Sequence, residues 1–533
     1  MKVNKIIFSI YTVIFLFITS FEAQGAGKTY YVDSKKGNDQ NDGLSSQTSW
    51  QTLQKANQAK LTAGDRLLLK CGSLFKGALV FDNTRGSKDA PVIISSYKTG
   101  SGDTDLPVIQ AEGYTAAVQI KNGSYIHVSE LELTSDSGAV KEKDALTQRY
   151  GVRILADLPG IYQGIRLSSL KIHHIFACKP VKDEGLNPTS NKGMGIAINM
   201  LHKEALIKNV TIEDCDIEMT GHTGIRVFGW REQNVRSYLD SLFILNNRLT
   251  HIGGPGMVVG VTSNVLVRGN TVCYSGSSAD SRMHQRGSCF WPWTSKHVLI
   301  EKNKFMHARG KMDSAGAHID FNCSDVIVQY NLSMDNAGGF VEILGNDRNC
   351  AYRYNISIND GFRVKGENNA ESEGKVIWTG GFVGNGVPQT GPFNSYIYNN
   401  TVYVKEGSRS CFCFSSTTDG VLIANNIFYI HGKTLFVNNW YELDKQFSKD
   451  DLRNIFFINN LYASSNVLPE FLRQFDQNPV YGGLRDVELI KNKSIEIKKL
   501  PGDDVGLLTG FKVDRDYLGQ PITGIPDLGA IEY

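Results

Sequence analysis

A short pattern, apolar-x-apolar-x-x-Asn, returns along the middle of the chain and limits what it can fold into. It reads Val265-Leu-Val-Arg-Gly-Asn270, Val298-Leu-Ile-Glu-Lys-Asn303 and Val326-Ile-Val-Gln-Tyr-Asn331. It recurs as Ser395-Tyr-Ile-Tyr-Asn-Asn400, Val421-Leu-Ile-Ala-Asn-Asn426 and Ile455-Phe-Phe-Ile-Asn-Asn460. Looser copies end at Asn247 and Asn355, and earlier ones place Leu131, Leu170 and Cys215 at the Asn position. From Asn247 the spacings are 23, 33, 28, 24, 45, 26 and 34 residues. A short period with variable insertions marks a solenoid whose coils keep their strands and vary their loops. Stacked coils put equivalent residues about 4.8 Å apart. A side-chain amide can then donate to one copy and accept from the next, at a turn whose left-handed backbone Asn tolerates. A β-sandwich gives no reason for one Asn at one strand position.

A second short strand, usually opened by Gly, is expected after each Asn. Examples are Gly224-Ile-Arg-Val-Phe228, Gly316-Ala-His-Ile-Asp-Phe321, Gly338-Gly-Phe-Val-Glu-Ile343 and Gly361-Phe-Arg-Val-Lys365. Strand, Asn turn, strand and long loop form one coil. The fold class that follows is all-β, a right-handed parallel β-helix running from about 66 to 465. A length of 533 residues would otherwise suggest roughly three domains. The turn-dense composition, Gly 53 against Pro 14, suits one continuous body instead.

The ends read differently. Trp50–Lys60 is amphipathic and predicts a helix over the open N-terminal end, within a cap spanning 26–65 and followed by a strand at Arg66–Lys70. Residues 466–533 form a closing segment. Lys2 and Lys5, the apolar run Ile6–Thr19 and Ala23-Gln24-Gly25 have the order of a secretory signal, 1–25. Its run is too short for a comfortable membrane span. The expectation is a soluble exported protein, periplasmic or extracellular. Nine scattered cysteines without a CxxC pair read as buried core thiols, not a zinc site. Cys411 and Cys413 fall on one face of a strand. With Lys+Arg 56 against Asp+Glu 54 and no basic block, nucleic acid is not the partner.

Registering the second strands on their Gly turns the alternate side chains outward. One outward line reads Phe228, Trp291, Asp320, Glu342, Lys365, and the line beside it reads Arg226, Cys289, His318, Phe340, Arg363. Asp320 and Glu342 are 22 residues apart, one bare coil, which predicts adjacent rungs. Level carboxylates on adjacent rungs would stand roughly 5 Å apart, the separation of retaining glycosidases. So close a pair cannot easily ionise together, so one is left as an acid. His318 can hold a hydroxyl or orient a carboxylate, and Trp291 and Trp293 offer flat faces to sugar rings. His222, Arg309 and Asp313 sit on loops that would line the same groove.

The stretch from Gly316 to Ile343 resembles the right-handed β-helix glycoside hydrolases, particularly the β-xylosidase-type family and its relatives acting on xylan and fucosylated pectin. That resemblance implies Asp320 as nucleophile and Glu342 as acid/base, with a carbohydrate as partner; the expected state is a monomer. Substrate-binding candidates are His318, Trp291, Trp293, Arg226, Arg363, Lys365, His222 and Arg309. No cofactor is expected; calcium is the alternative, with the acids Glu213, Asp214 and Asp216 beside His173-His174 as its place. Two other functions stay open. One is a calcium-assisted polysaccharide lyase using Arg226, Arg363, Lys365 or His318; the other is a non-catalytic glycan-binding solenoid.

Overall fold

In the computed structural model the described residues are 27–100, 102–111, 113–136, 148–177, 192–230, 238–437, 454–463 and 475–533. The leader and Cys178 lie outside them. Each coil has three strands where the sequence predicts two. The strand before the ladder Asn belongs to a 15-stranded sheet, the first face. Immediately after the Asn comes a short strand, such as Thr271–Ser275, Lys304–Met306 or Leu332–Met334, in a 14-stranded sheet, the second face. The Gly-opened strands form the third face, split into sheets of seven and four strands. All strand pairs here are parallel, as in Val265↔Val298 and Val298↔Val326.

The core follows from stacking like on like. One interior line of the first face runs Ile244, Val267, Ile300, Val328, Tyr352, Ile397, Ile423 and Phe457. None of these side chains is more than 2% exposed. Each contributes about 1.5–3 kcal/mol by burial.

The Asn ladder forms as the pattern requires. Nδ2 of Asn247, Asn270, Asn303 and Asn331 donates to Oδ1 of the next Asn at 2.9–3.0 Å. The series continues through Asn355, Asn400 and Asn426 to Asn460, which donates to Asp476. One detail differs from expectation. The left-handed residue is the one before the ladder Asn, for instance Asn246 (φ 54°), Tyr330 (φ 55°) and Asn425 (φ 57°). The ladder Asn is there for its amide, and the turn conformation is carried by its neighbour.

The expected helix shortens to one turn, Leu53–Ala56, with Thr52 accepting from the Lys55 amide. Asn57 ends it, because its amide joins Ala78 O and the Val80 amide on the strand Leu79–Asp82. Leu53 and Ala56 are nonetheless buried with Trp50 and Leu61 over the end of the core. The strand at Arg66–Lys70 is present. Near the C-terminus Leu500, Leu507 and Val513 pack on the outside of the first face against Tyr396 and Tyr398. No described helix is long and apolar enough to cross a membrane. The described cysteines are all free, and Cys411 and Cys413 share one cluster with Leu344 and Trp378.

Candidate active site

The third face breaks at residues 315–319. There the chain joins its neighbours only through single bridges, Phe290↔Ala317, Ala315↔Gly339 and Ile319↔Ile343. Backbone hydrogen bonds still cross it, from the His318 amide to Phe290 O and from the Ile319 amide to Glu342 O. Two glycines make the passage. A Cβ on Gly338 would come 1.9 Å from Asp313 O, and one on Gly339 would come 2.0 Å from Lys375 O.

The bridges correct the expected register. His318, not Asp320, stands level with Trp291 on one side and Glu342 on the other. Beyond Glu342 the line continues to Trp378 and Cys413. Asp320 is level with Trp293 and Leu344 instead. The two carboxylates sit on adjacent strands but diagonally, about 8 Å apart at the backbone. Cys289 and Phe340 are also corrected, since both are buried in the main core.

Lys365 is not on the third face at all. Residues 361–365 form no strand; Lys365 lies in an exposed turn of an inserted loop. The strand there is Lys375–Thr379, so Lys375 enters the site in its place. Arg363 is buried beneath the groove. Its guanidinium donates to Ser372 O and Oγ, Gly310 O and Asp313 O, which fixes the loop that presents Asp313. Arg309 is turned to the neighbouring edge, where it donates to Asp335 O and covers the Phe362 ring.

What the fold does bring together is a buried polar group with an aromatic flank. Trp291 stacks on His318 with centroids 4.7 Å apart. His318 Nδ1 lies 2.9 Å from Ser288 Oγ and 4.0 Å from Glu342 Oε2. Burial pushes the His318 ring down to about 4, against the pull of Asp313, so it is neutral at ordinary pH. Burial, then the charge of Asp313, holds the Glu342 carboxyl well above the usual carboxylate range; Lys375 opposes this and Asp320 adds to it. Lys375 Nζ lies over the Trp378 ring at 4.4 Å and donates to Glu373 O. Asp320, half-buried, accepts the Phe321 amide at 2.9 Å.

Asp313 is the third acid of the site, and the sequence marks it only as a loop residue. Arg286 Nε donates to it at 2.8 Å, and that cation, outweighing the cost of burial among its several partners, keeps its pKa low. Its side chain is 19% exposed against 10% for Glu342. Arg286, Ser288, Lys375 and Trp378 are likewise missed by the sequence pattern. Phe228, Trp293, Phe321 and Phe382 line the other flank, with successive centroids 6.4, 6.3 and 5.6 Å apart. Gly260 lets Trp293 lie down between strands, because a Cβ there would sit 2.1 Å from Trp293 Nε1. Arg226 and His222 stand farther along the same face. Among the described residues no three His, Cys, Asp or Glu side chains are grouped to hold a metal. Glu213 and Asp216 are paired with Arg166 and Arg248.

The family model described as "right handed beta helix region" matches residues 195–402. The fold is a right-handed parallel β-helix. In sequence the chain is similar to a lacto-N-biosidase of Bifidobacterium longum subsp. longum, 25% identical across 95% of this chain. It spans only 36% of that relative's length. In structure it resembles the GH136 lacto-N-biosidase from Eubacterium ramulus, with a TM-score of 0.53 and 22% identity. That match covers 78% of this chain and 68% of the other. It also resembles XylC in complex with xylose, TM-score 0.54 and 12% identity, over 94% and 98% of the two chains. These structural likenesses speak to the β-helix fold.

Proposed function

We propose that the chain is an exported glycoside hydrolase that cleaves a complex glycan on its third face. The observation that carries this is a buried carboxyl, Glu342, whose pKa burial raises, diagonal to a more open carboxylate, Asp320, beside a row of aromatic rings. Such a pair supplies an acid for the leaving oxygen and a carboxylate for the anomeric carbon. Asp320 is the nucleophile in this reading, Glu342 the acid/base, and the reaction a double displacement that retains configuration. His318, neutral and held by Ser288, offers its remaining ring nitrogen as a hydrogen-bonding group. The named activity of the relatives makes lacto-N-biosides the first substrates to try, with xylosides and pectic oligosaccharides beside them.

A second assignment within the same reading has Asp313 as the proton donor. It is favoured by the greater exposure of Asp313 and opposed by Arg286, which holds that carboxyl in its charged form, so a proton must be taken up before it can donate. Three variants separate the roles. Asp320→Asn is expected to lose at least roughly 10³-fold in kcat on whichever glycan wild type cleaves. Glu342→Gln should lose a similar factor along with the alkaline limb of the pH profile, and azide should restore it on an aryl glycoside. Full activity in Glu342→Gln with a dead Asp313→Asn would move the acid role to Asp313. Because the carboxylates are diagonal, product stereochemistry decides the mechanism. Inversion would remove the covalent intermediate, and an unsaturated, ultraviolet-absorbing product would make the protein a lyase.

A further inference from the structure

Arginines on the rungs of this solenoid have an acid or another hydrogen-bond acceptor beside them, as Arg153 has Asn199 and Arg353 has Gln329. Arg248 is level with Asp216 and pairs with it at 3.0 Å; Arg268 is level with Glu301 and also pairs with it. Arg226 is different. Its rung neighbours are Ala197 and Val258, and no described acid or hydrogen-bond acceptor meets its half-buried guanidinium. Among the described residues it stands over the Phe228 ring, 5.4 Å from Cζ, with the neutral Tyr150 phenol nearby. Leaving a cation partly buried and unpaired is costly unless something supplies the counter-charge.

A second polar group nearby is also unmatched. His284 stacks on His222 with centroids 4.7 Å apart, and His284 Nδ1 is buried without a hydrogen-bond partner among the described residues. The charges of Arg226, Lys192 and Arg286 all bear on His222. Arg286 is paired with Asp313. Burial holds both imidazoles below their ordinary value, reinforced at His222 by His284 and these cations and at His284 by Arg286 and Lys192, so each is neutral and can donate or accept. Arg226 lies three strands from Asp320, about 14 Å along the face. The aromatic row from Phe321 through Trp293 to Phe228 bridges that interval.

We propose that Arg226, with His222 and His284 behind it, binds an anionic substituent of the glycan, a carboxylate or a sulfate ester, at a subsite removed from the cleaved bond. The guanidinium gives a fork that fits either anion, and the imidazoles complete a polar wall around it. This rests on the glycan-binding reading of the third face and narrows it from glycans in general to acidic ones.

The test uses glycan pairs that differ only in one uronate carboxylate or one sulfate ester, measured by calorimetry on the full-length Asp320→Asn protein. The anionic member is expected to bind about 10- to 100-fold tighter than its neutral parent, with a preference that falls as salt rises. In Asp320→Asn/Arg226→Gln that ratio should drop to near one, whereas Arg226→Lys should keep part of it. A merely structural Arg226 would weaken both members and leave the ratio intact. Equal binding of neutral and anionic members, or a preference that survives Arg226→Gln, overturns the proposal. Anion preference in a wild-type protein that cleaves no glycan would keep this site and remove the hydrolase reading. Cleavage of glycans without anion preference would do the reverse.

Discussion

The first and third faces are built on the same coils, yet one is regular and the other broken. On the first face fifteen strands pair in sequence, and every turn from Asn247 to Asn460 is tied to the next by an amide. On the third face the ladder stops after seven strands, crosses 315–319 on single bridges, and resumes for four. Buried carboxyls and two close-packed glycines lie on or next to that break, and the arginine without a described acid partner stands on the same face three strands away. The first face spends its side chains on self-pairing; the third leaves polar groups without partners from its own repeat. A site needs such groups, so the irregular face is where chemistry is to be sought.

The sharpest way to break the comparison is to damage the regular face. Asn303→Ala removes an acceptor for the Asn270 amide and Nδ2, and a donor to Val267 O and Asn331. Several buried polar groups are orphaned at once, at about 1–3 kcal/mol each without full additivity. We expect a loss of about 3–5 kcal/mol in chemical denaturation, while the variant that remains folded keeps its kcat. A loss below 1 kcal/mol would mean water replaces the amide and the ladder is not what holds the coils in register.

Damage to the broken face should act the other way round. Gly338→Ala puts a methyl against Asp313 O and forces the loop carrying Asp313 away from Glu342. A displacement of that kind costs roughly 100-fold in kcat/KM. The melting temperature should move by only a few degrees, since the bridges at 315–319 carry little of the sheet. Unchanged kinetics would show that the position of Asp313 does not matter to the reaction.

These two experiments also mark what the sequence could reveal. The ladder residues and the strands before them were readable because one residue type recurs where one hydrogen bond is needed. The second-face strands were missed because they begin directly after the Asn, with no glycine to announce them, and last as few as two residues. The site was half readable. Asp320, His318, Glu342, Trp291 and Trp293 lie on motif-bearing strands, and counting from Gly placed them on the correct face. Counting failed by two residues for Asp320, because Gly316 and Gly338 do not open their strands at equivalent points. It failed outright for Lys365, because an inserted loop moved the pairing strand to Lys375–Thr379. Asp313 had no periodic signal; it is presented by two successive left-handed residues, Asp313 (φ 53°) and Ser314 (φ 71°).

A finer contrast lies between the amide ladder and a smaller one at the turn into the third face. There Asn336 Oδ1 accepts the Ala308 amide, and Asn336 donates not to another Asn but to Asp360 Oδ1, which also accepts the Asn336 amide. Ser357 Oγ donates to Asp360 Oδ2. Burial pushes the Asp360 carboxyl up to about 7 despite these donors, where an unfolded Asp would titrate near 3.8. A folded-state value raised in this way favours the native protein below the unfolded value and loses that contribution as pH climbs through about 7. Between pH 5 and 7 the loss amounts to roughly 2 kcal/mol. Asp360→Asn keeps an oxygen for the two Asn336 donors and cannot ionise, so its stability should fall less over that interval. Urea unfolding of both proteins at pH 5, 6 and 7 isolates the effect, because Glu342 and Asp347, also raised by burial, contribute equally to each. Parallel curves would mean that Asp360 is already charged in the folded protein, and that a carboxylate serves this turn as readily as an amide serves the first face.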